Sequence, residues 1–174
     1  RVRQVGSCRS AAKFPSVVQL SAFLQLGLAL EKEEVAYVLV GGLALFAQGL
    51  PRVTYDIDLF IQATVPNVER LKAALRSVYD DPSIEEIQAV DLCGEQGGVV
   101  RYGPPEGDYV IDILGRLGEM WAYEDLEAQW IEVQGVRLRV ATPRTLFRMK
   151  RGTVRPQDRA DAAALALKFQ LEDD

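Results

Sequence analysis

A chain of 174 residues, 48% hydrophobic and 26% charged, is long enough for one domain with a sizeable core and has the make-up of a soluble globular protein. It contains no histidine, which removes His-based general bases, Ser-His-Asp triads and most zinc sites, and its two cysteines are too few for a disulfide framework. The net charge of −5 argues against a general nucleic-acid coat protein, but it is unevenly spread: residues 14–136 carry seven basic and twenty acidic groups, residues 137–159 eight basic and one acidic.

Residues 1–13, with four basic and no acidic groups, read as a disordered or extraneous end. Basic residues ahead of the apolar run Phe14 to Leu30 suggest a signal peptide, but Pro15, Gln19, Ser21 and Gln25 interrupt that run, and Val17, Leu20, Leu24 and Leu28 recur at helical spacing. An amphipathic helix is therefore expected from Ser16 to Glu34. No later stretch approaches the roughly 20 apolar residues that span a bilayer. The expected setting is the cytoplasm, with Cys8 and Cys93 as free thiols and no membrane partner.

Next come a short apolar strand (Tyr37 to Val40), a Gly41-Gly42 turn, a helical segment (Leu43 to Gln48) and, after a Gly-Leu-Pro break, a strand from about Thr54 to Ile61. Alternation puts Asp56, Asp58 and Phe60 on one face of that strand and Tyr55, Ile57, Leu59 and Ile61 on the other, buried one. Two like charges beside an apolar layer repel each other unless a cation sits between them. The alternative is a half-exposed strand whose wet face carries two Asp residues. With carboxylates as the only plentiful ligands, a bound metal would be Mg²⁺ or Mn²⁺, and a phosphate substrate would complete its shell.

Pro66 opens a helix to about Tyr79, with Val68, Leu71, Leu75 and Val78 on its buried face, and Ser83 to Ala89 reads as a shorter helix capped by Ser83. A strand from Gly97 to Tyr102, a hairpin connection over residues 103–107 and a strand from Asp108 to Leu114 follow. In the last of these, Asp112 lies between Ile111 and Ile113, where a lone carboxylate is expensive. It is either the third carboxylate of a metal site or the ion-pair partner of a neighbour such as Arg101, while Asp108, nearer the hairpin, is expected to be solvated. Residues 119–128 are charged and lean towards helix. Trp130 to Val133 and Val136 to Val140 form a hairpin around Gln134-Gly135. Thr142-Pro143 caps a helix to about Arg151, and Arg155-Pro156 starts the last helix, to about Leu171.

Gly41-Gly42, thirteen residues and then Asp56-Ile57-Asp58 resemble the signature of the DNA polymerase β-type nucleotidyltransferase superfamily, and the Arg52, Thr54, Asp56, Asp58, Leu59 run is similar to its AbiEii-like and minimal members. The C-terminal pattern of Leu146, Lys150, Arg155, Pro156, Asp158 and Asp161 resembles the same proteins. The resemblance implies an α/β (α+β) polymerase β-like fold: a small mixed sheet with helices on one side in residues 1–141, extended by a C-terminal helical pair in residues 142–174. It implies that NMP is transferred from an NTP to an acceptor hydroxyl, with Asp56 and Asp58 holding Mg²⁺ or Mn²⁺ and Asp112 completing a second metal site. Gly41, Gly42, Arg52, Thr54, Lys150, Arg155 and Asp158 become candidates for binding the nucleotide. A toxin acting on RNA through the 137–159 segment, with an antitoxin protein as partner, is one expectation. Nucleotidylation of a protein or small molecule, or a catalytically idle NTP-binding relative, are the alternatives.

Overall fold

Apolar runs set the frame. The computed structural model describes residues 2–6, 20–93, 98–105, 109–117 and 120–172. Along the chain the elements are β1 (Val2–Gly6), α1 (Leu20–Lys32), β2 (Tyr37–Val40), α2 (Gly41–Ala47), β3 (Asp56–Ile61), α3 (Val65–Val78), β4 (Val99–Gly103), β5 (Val110–Leu114), β6 (Arg116–Leu117), β7 (Trp121–Ala122), β8 (Ala128–Val133), β9 (Val136–Ala141), α4 (Pro143–Arg151) and α5 (Pro156–Phe169). The seven long strands form one mixed sheet in the order β1-β4-β5-β3-β2-β9-β8, and β6 and β7 make a separate two-stranded ribbon.

Pairing is parallel for β1 with β4, β3 with β5 and β2 with β9, and antiparallel for β2 with β3, β4 with β5 and β8 with β9. The four residues of β2 are all buried, as a strand flanked on both sides requires, and Ile57, Leu59, Phe60 and Ile61 of β3 are equally sealed. Helix α1 buries Phe23, Leu26 and Leu30 and packs against α3, whose Val68, Leu71 and Leu75 point inward. Buried Asn67 ties α3 to the β2 and β3 ends: its Oδ1 accepts from the Ala36 N–H at 2.7 Å and its Nδ2 donates to the Ala36 and Gln62 carbonyls, both at 2.9 Å. Helices α4 and α5 pack on each other, and Lys168 of α5 donates to the Gly49 carbonyl at 2.6 Å, which fastens the pair to the turn after α2.

Several expected boundaries move. Residues 2–6, read as part of an end outside the fold, add β1 as an edge strand to β4; five residues with one buried side chain, Val5, are too short a signal to stand out in the sequence. The helix expected at Ser83 to Ala89 is two 3₁₀ turns, Pro82–Glu86 and Ala89–Asp91, and the cap is Asp81, whose Oδ1 accepts from the Ser83 N–H at 2.9 Å. Of the stretch 119–128, the described residues 120–128 hold β7, a 3₁₀ turn at Tyr123–Asp125 and the start of β8; Asp125 accepts from the Ala122 N–H at 2.8 Å, so its charge serves a turn. Strand β3 begins at Asp56 rather than Thr54, which leaves Tyr55 46% exposed instead of buried. The starts expected at Ser16, Gly97 and Asp108, the end of the 103–107 connection and Cys8 lie outside the described residues; Cys93 is an exposed free thiol. Among the described residues no helix is long and apolar enough to cross a membrane.

Candidate active site

The sheet register lines up four side chains across neighbouring strands. Arg101 of β4 stands opposite Asp112 of β5, Asp112 opposite Asp58 of β3, and Asp58 opposite Val40 at the end of β2. Because alternate residues of a strand share a face, Asp56 lies on the same side as Asp58. Each of Asp56, Asp58 and Asp112 offers a carboxylate oxygen, and these oxygens lie within 4.8 Å of one another. Oxygen donors gathered at that spacing suit a hard divalent cation, so the donor set fits magnesium or manganese.

The Gly-Gly corner is built around these carboxylates. Gly41 is at φ +67°, and a Cβ there would come to 1.9 Å from Asp58 Oδ2; one on Gly42 would come to 2.7 Å from the Thr54 hydroxyl oxygen. Both glycines belong to α2, which follows β2 without a separate turn, contrary to the expected start at Leu43, and the helix ends at Ala47. Buried Thr54 donates its hydroxyl to Asp56 Oδ1 at 2.6 Å, so it orients a carboxylate.

Charge in the row is unbalanced. Burial, followed by the charges of Asp56 and Asp112, pushes the Asp58 carboxyl up to about 8, while Lys150 and Arg101 pull it down without making up the difference. Asp112 is treated differently. Arg101 Nε donates to its Oδ1 at 2.8 Å and Nη2 to its Oδ2 at 2.7 Å, a two-pronged ion pair that raises the Arg101 pKa through that hydrogen bond. Asp112 stands in the carboxylate cluster and is at the same time paired with Arg101. Arg101, named from the sequence as a candidate partner of Asp112, takes that place through the β4–β5 register.

A second cluster lies on the C-terminal helices. Lys150 Nζ donates to Asp158 Oδ1 at 2.7 Å and to Asp161 Oδ2 at 2.9 Å, and Arg52 Nε lies 3.6 Å from Asp161 Oδ1. Burial raises Asp158, but the Lys150 hydrogen bond and charge, the Thr153 hydroxyl and Arg155 outweigh it, and the net shift is downward. Asp161, buried and bridging Lys150 and Arg52, is more central than the sequence pattern suggested; the signal was its spacing three residues after Asp158, one helical turn on. Arg155 is exposed at the start of α5 and meets the cluster through the Asp158 charge. Lys150 also acts electrostatically on Asp58, which puts the two clusters within reach of each other.

The family model for nucleotidyl transferase AbiEii toxins of type IV toxin–antitoxin systems matches residues 22–160. The chain belongs to this family. This AbiEii-family nucleotidyltransferase shares its fold with a Thermotoga maritima protein described as a nucleotidyltransferase (TM1012), at 16% identity and a TM-score of 0.55 over 87% of this chain and 91% of that one. It is also similar to ANT(2'')-Ia, solved in complex with adenylyl-2''-tobramycin, at 15% identity and a TM-score of 0.52 over 88% and 91% of the two chains. The solution structure of ANT(2'')-Ia, an antibiotic-resistance factor, gives 13% identity and a TM-score of 0.52 over 86% and 83%. No curated protein matches the chain.

Proposed function

We propose that the protein transfers the nucleoside monophosphate of an NTP to an acceptor hydroxyl, and that Asp56, Asp58 and Asp112 are its catalytic carboxylates. The observation that carries this reading is the convergence of three carboxylates on one face of two adjacent strands, Asp58 level with Asp112 and Asp56 two residues away, at a Gly-Gly corner whose Gly41 abuts Asp58. In the reaction the acceptor oxygen attacks the α-phosphorus, the bond from that phosphorus to the β-bridging oxygen breaks, and pyrophosphate leaves with the electron pair. A magnesium or manganese ion held by Asp56 and Asp58, with Asp112 beside them, would screen the triphosphate and polarise the α-phosphate. Thr54 orients Asp56 for that task and Arg101 holds both oxygens of Asp112; in this reading the acceptor proton passes to a lone pair of Asp112 that the guanidinium leaves free. Gly41 and Gly42, lacking side chains, leave their backbone open to the triphosphate, and Lys150 supplies a cation at its far end, with Arg52, Arg155 and Asp158 around it.

The acceptor we favour is RNA. Along α4, Arg144, Arg148 and Arg151 line a cavity of about 260 Å³ together with Phe147, Leu171 and Glu172, a cationic and partly apolar surface suited to a polyanion that also presents bases. The family's type IV toxin–antitoxin setting supports an antitoxin as the opposing factor, acting in the cytoplasm. The deciding experiment incubates the protein with each α-labelled NTP, Mg²⁺ and separate fractions of cellular RNA, protein and small molecules. Label in RNA, absent with Asp58→Asn, is expected; label in another fraction reassigns the acceptor, and no label in any fraction with NTP still bound sinks the enzymatic reading in favour of an idle relative.

A further inference from the structure

Across the middle of the sheet, Arg101 is the one member of the row that carries a positive charge into the carboxylate cluster from a strand rather than from a loop or helix. Its backbone position is fixed by antiparallel pairing with Asp112, and its guanidinium meets both oxygens of that carboxylate, at 2.8 and 2.7 Å. The Asp112 side chain is only 10% exposed, whereas that of Arg101 is 43% exposed, so the cation stays partly hydrated while the anion it serves does not. An arginine suits this task because its planar fork engages both oxygens at once and its charge survives at any working pH.

We infer that Arg101 is the site's built-in second cation: it holds Asp112 in the row through both of its oxygens and leaves the cluster with donors and charge for one divalent ion rather than two. The inference deepens the function proposed above and rests on its assignment of Asp56, Asp58 and Asp112 as the metal-holding carboxylates. Once a metal has displaced the Asp58 proton, three carboxylates and one guanidinium leave two negative charges, which a single divalent cation neutralises. Lys150 does not change this balance, because Asp158 and Asp161 already hold its ammonium at 2.7 and 2.9 Å. Arg52 likewise faces Asp161, at 3.6 Å. Without Arg101, three carboxylate charges would stand within 4.8 Å of each other with no strand-borne counter-charge, and a second divalent ion becomes the available remedy.

The test counts Mn²⁺ on the full chain, with the metal alone as probe, by electron paramagnetic resonance of free Mn²⁺ during a titration. Wild type is expected to bind one ion, and Arg101→Met a second at concentrations where wild type holds one. Arg101→Lys, which keeps the charge but not the fork, should stay at one and serves as the second variant if Arg101→Met does not fold. Two ions on wild type, an unchanged count on a folded Arg101→Met, or two on Arg101→Lys each overturn the inference while leaving the carboxylate assignment in place. No Mn²⁺ on wild type overturns that assignment and the inference with it. Melting temperatures give an independent reading: metal-free Arg101→Met should melt below wild type, with Mn²⁺ recovering the deficit, and a deficit that Mn²⁺ leaves untouched counts against Arg101 as a counter-cation.

Discussion

Asp58 and Asp112 face each other across a parallel strand pair, yet one is clasped by an arginine and the other is left between two carboxylates. The Asp58 carboxyl is raised from 3.8 to about 8, chiefly by burial. A raised acid binds a proton in the folded chain that the unfolded chain has released, so its contribution to stability is full below about pH 3.8 and is lost as the pH climbs to about 8. In EDTA, denaturation midpoints should therefore fall across this window, by at most about 1.4 kcal/mol per pH unit from this group. Mg²⁺ competes with that proton and should stabilise the protein more at pH 8 than at pH 6. Parallel pH profiles for wild type and Asp58→Asn in EDTA would remove Asp58 as the source.

Neutralising the two carboxylates should have opposite effects on the metal-free fold. Asp58→Asn removes a charge that its surroundings disfavour, so urea denaturation in EDTA should show unchanged or higher stability. Asp112→Asn instead gives up half of a two-pronged ion pair, and with Arg101 partly hydrated a loss of about 1–2 kcal/mol is expected. Both should lose transferase activity. Stabilisation by Asp112→Asn would show that the Arg101 pair contributes nothing to the fold.

This contrast marks how far the sequence could be read. Strand alternation was enough to put Asp56 and Asp58 on one face, and the flanking isoleucines were enough to make Asp112 suspect, because both are local patterns. That Asp112 sits level with Asp58 depends on register between strands far apart in sequence, which no local pattern encodes, whereas Arg101, on the strand just before, was within reach of the reading. The helices α4 and α5 were legible from Thr142, Pro143 and Pro156, whose capping roles are local as well. Misreadings fell where charged residues serve turns, as at Asp81 and Asp125, since a cap and a solvated helix face have the same composition.

Gly41 should tolerate no side chain. Alanine there must adopt a positive φ and displace Asp58, so Gly41→Ala is expected to cost about 1–3 kcal/mol. If the collision with the carboxylate contributes, the penalty should shrink in an Asp58→Ala background, with a coupling of at least about 0.5 kcal/mol in a double-mutant cycle. A penalty that is equal in both backgrounds would assign the whole effect to the backbone.

Lys150 tests whether the C-terminal cluster serves the triphosphate or only joins two helices. Its ammonium is held by Asp158 and Asp161, so Lys150→Met takes the nearest cation from half-buried Asp158 and leaves buried Asp161 to Arg52 alone, and should lower stability by about 1–3 kcal/mol whatever its functional role. Stability alone therefore decides nothing. Combining Lys150→Met with Asp158→Asn and Asp161→Asn removes both carboxylates that Lys150 held, leaves Arg52 as the remaining charge of that cluster, and should restore part of that loss, while the Lys150 cation offered to the substrate stays absent. If Lys150 contacts the triphosphate, titration with a fluorescent non-hydrolysable NTP should show binding weakened by about 1.5–3 kcal/mol, roughly 10- to 150-fold, in both the single and the triple variant. Arg148→Ala and Arg159→Ala, which alter exposed side chains of the basic segment, should leave NTP binding unchanged and flatten the salt dependence of RNA binding. Wild-type NTP affinity in the stabilised triple variant would confine Lys150 to a structural role and leave the triphosphate to the Gly41-Gly42 corner.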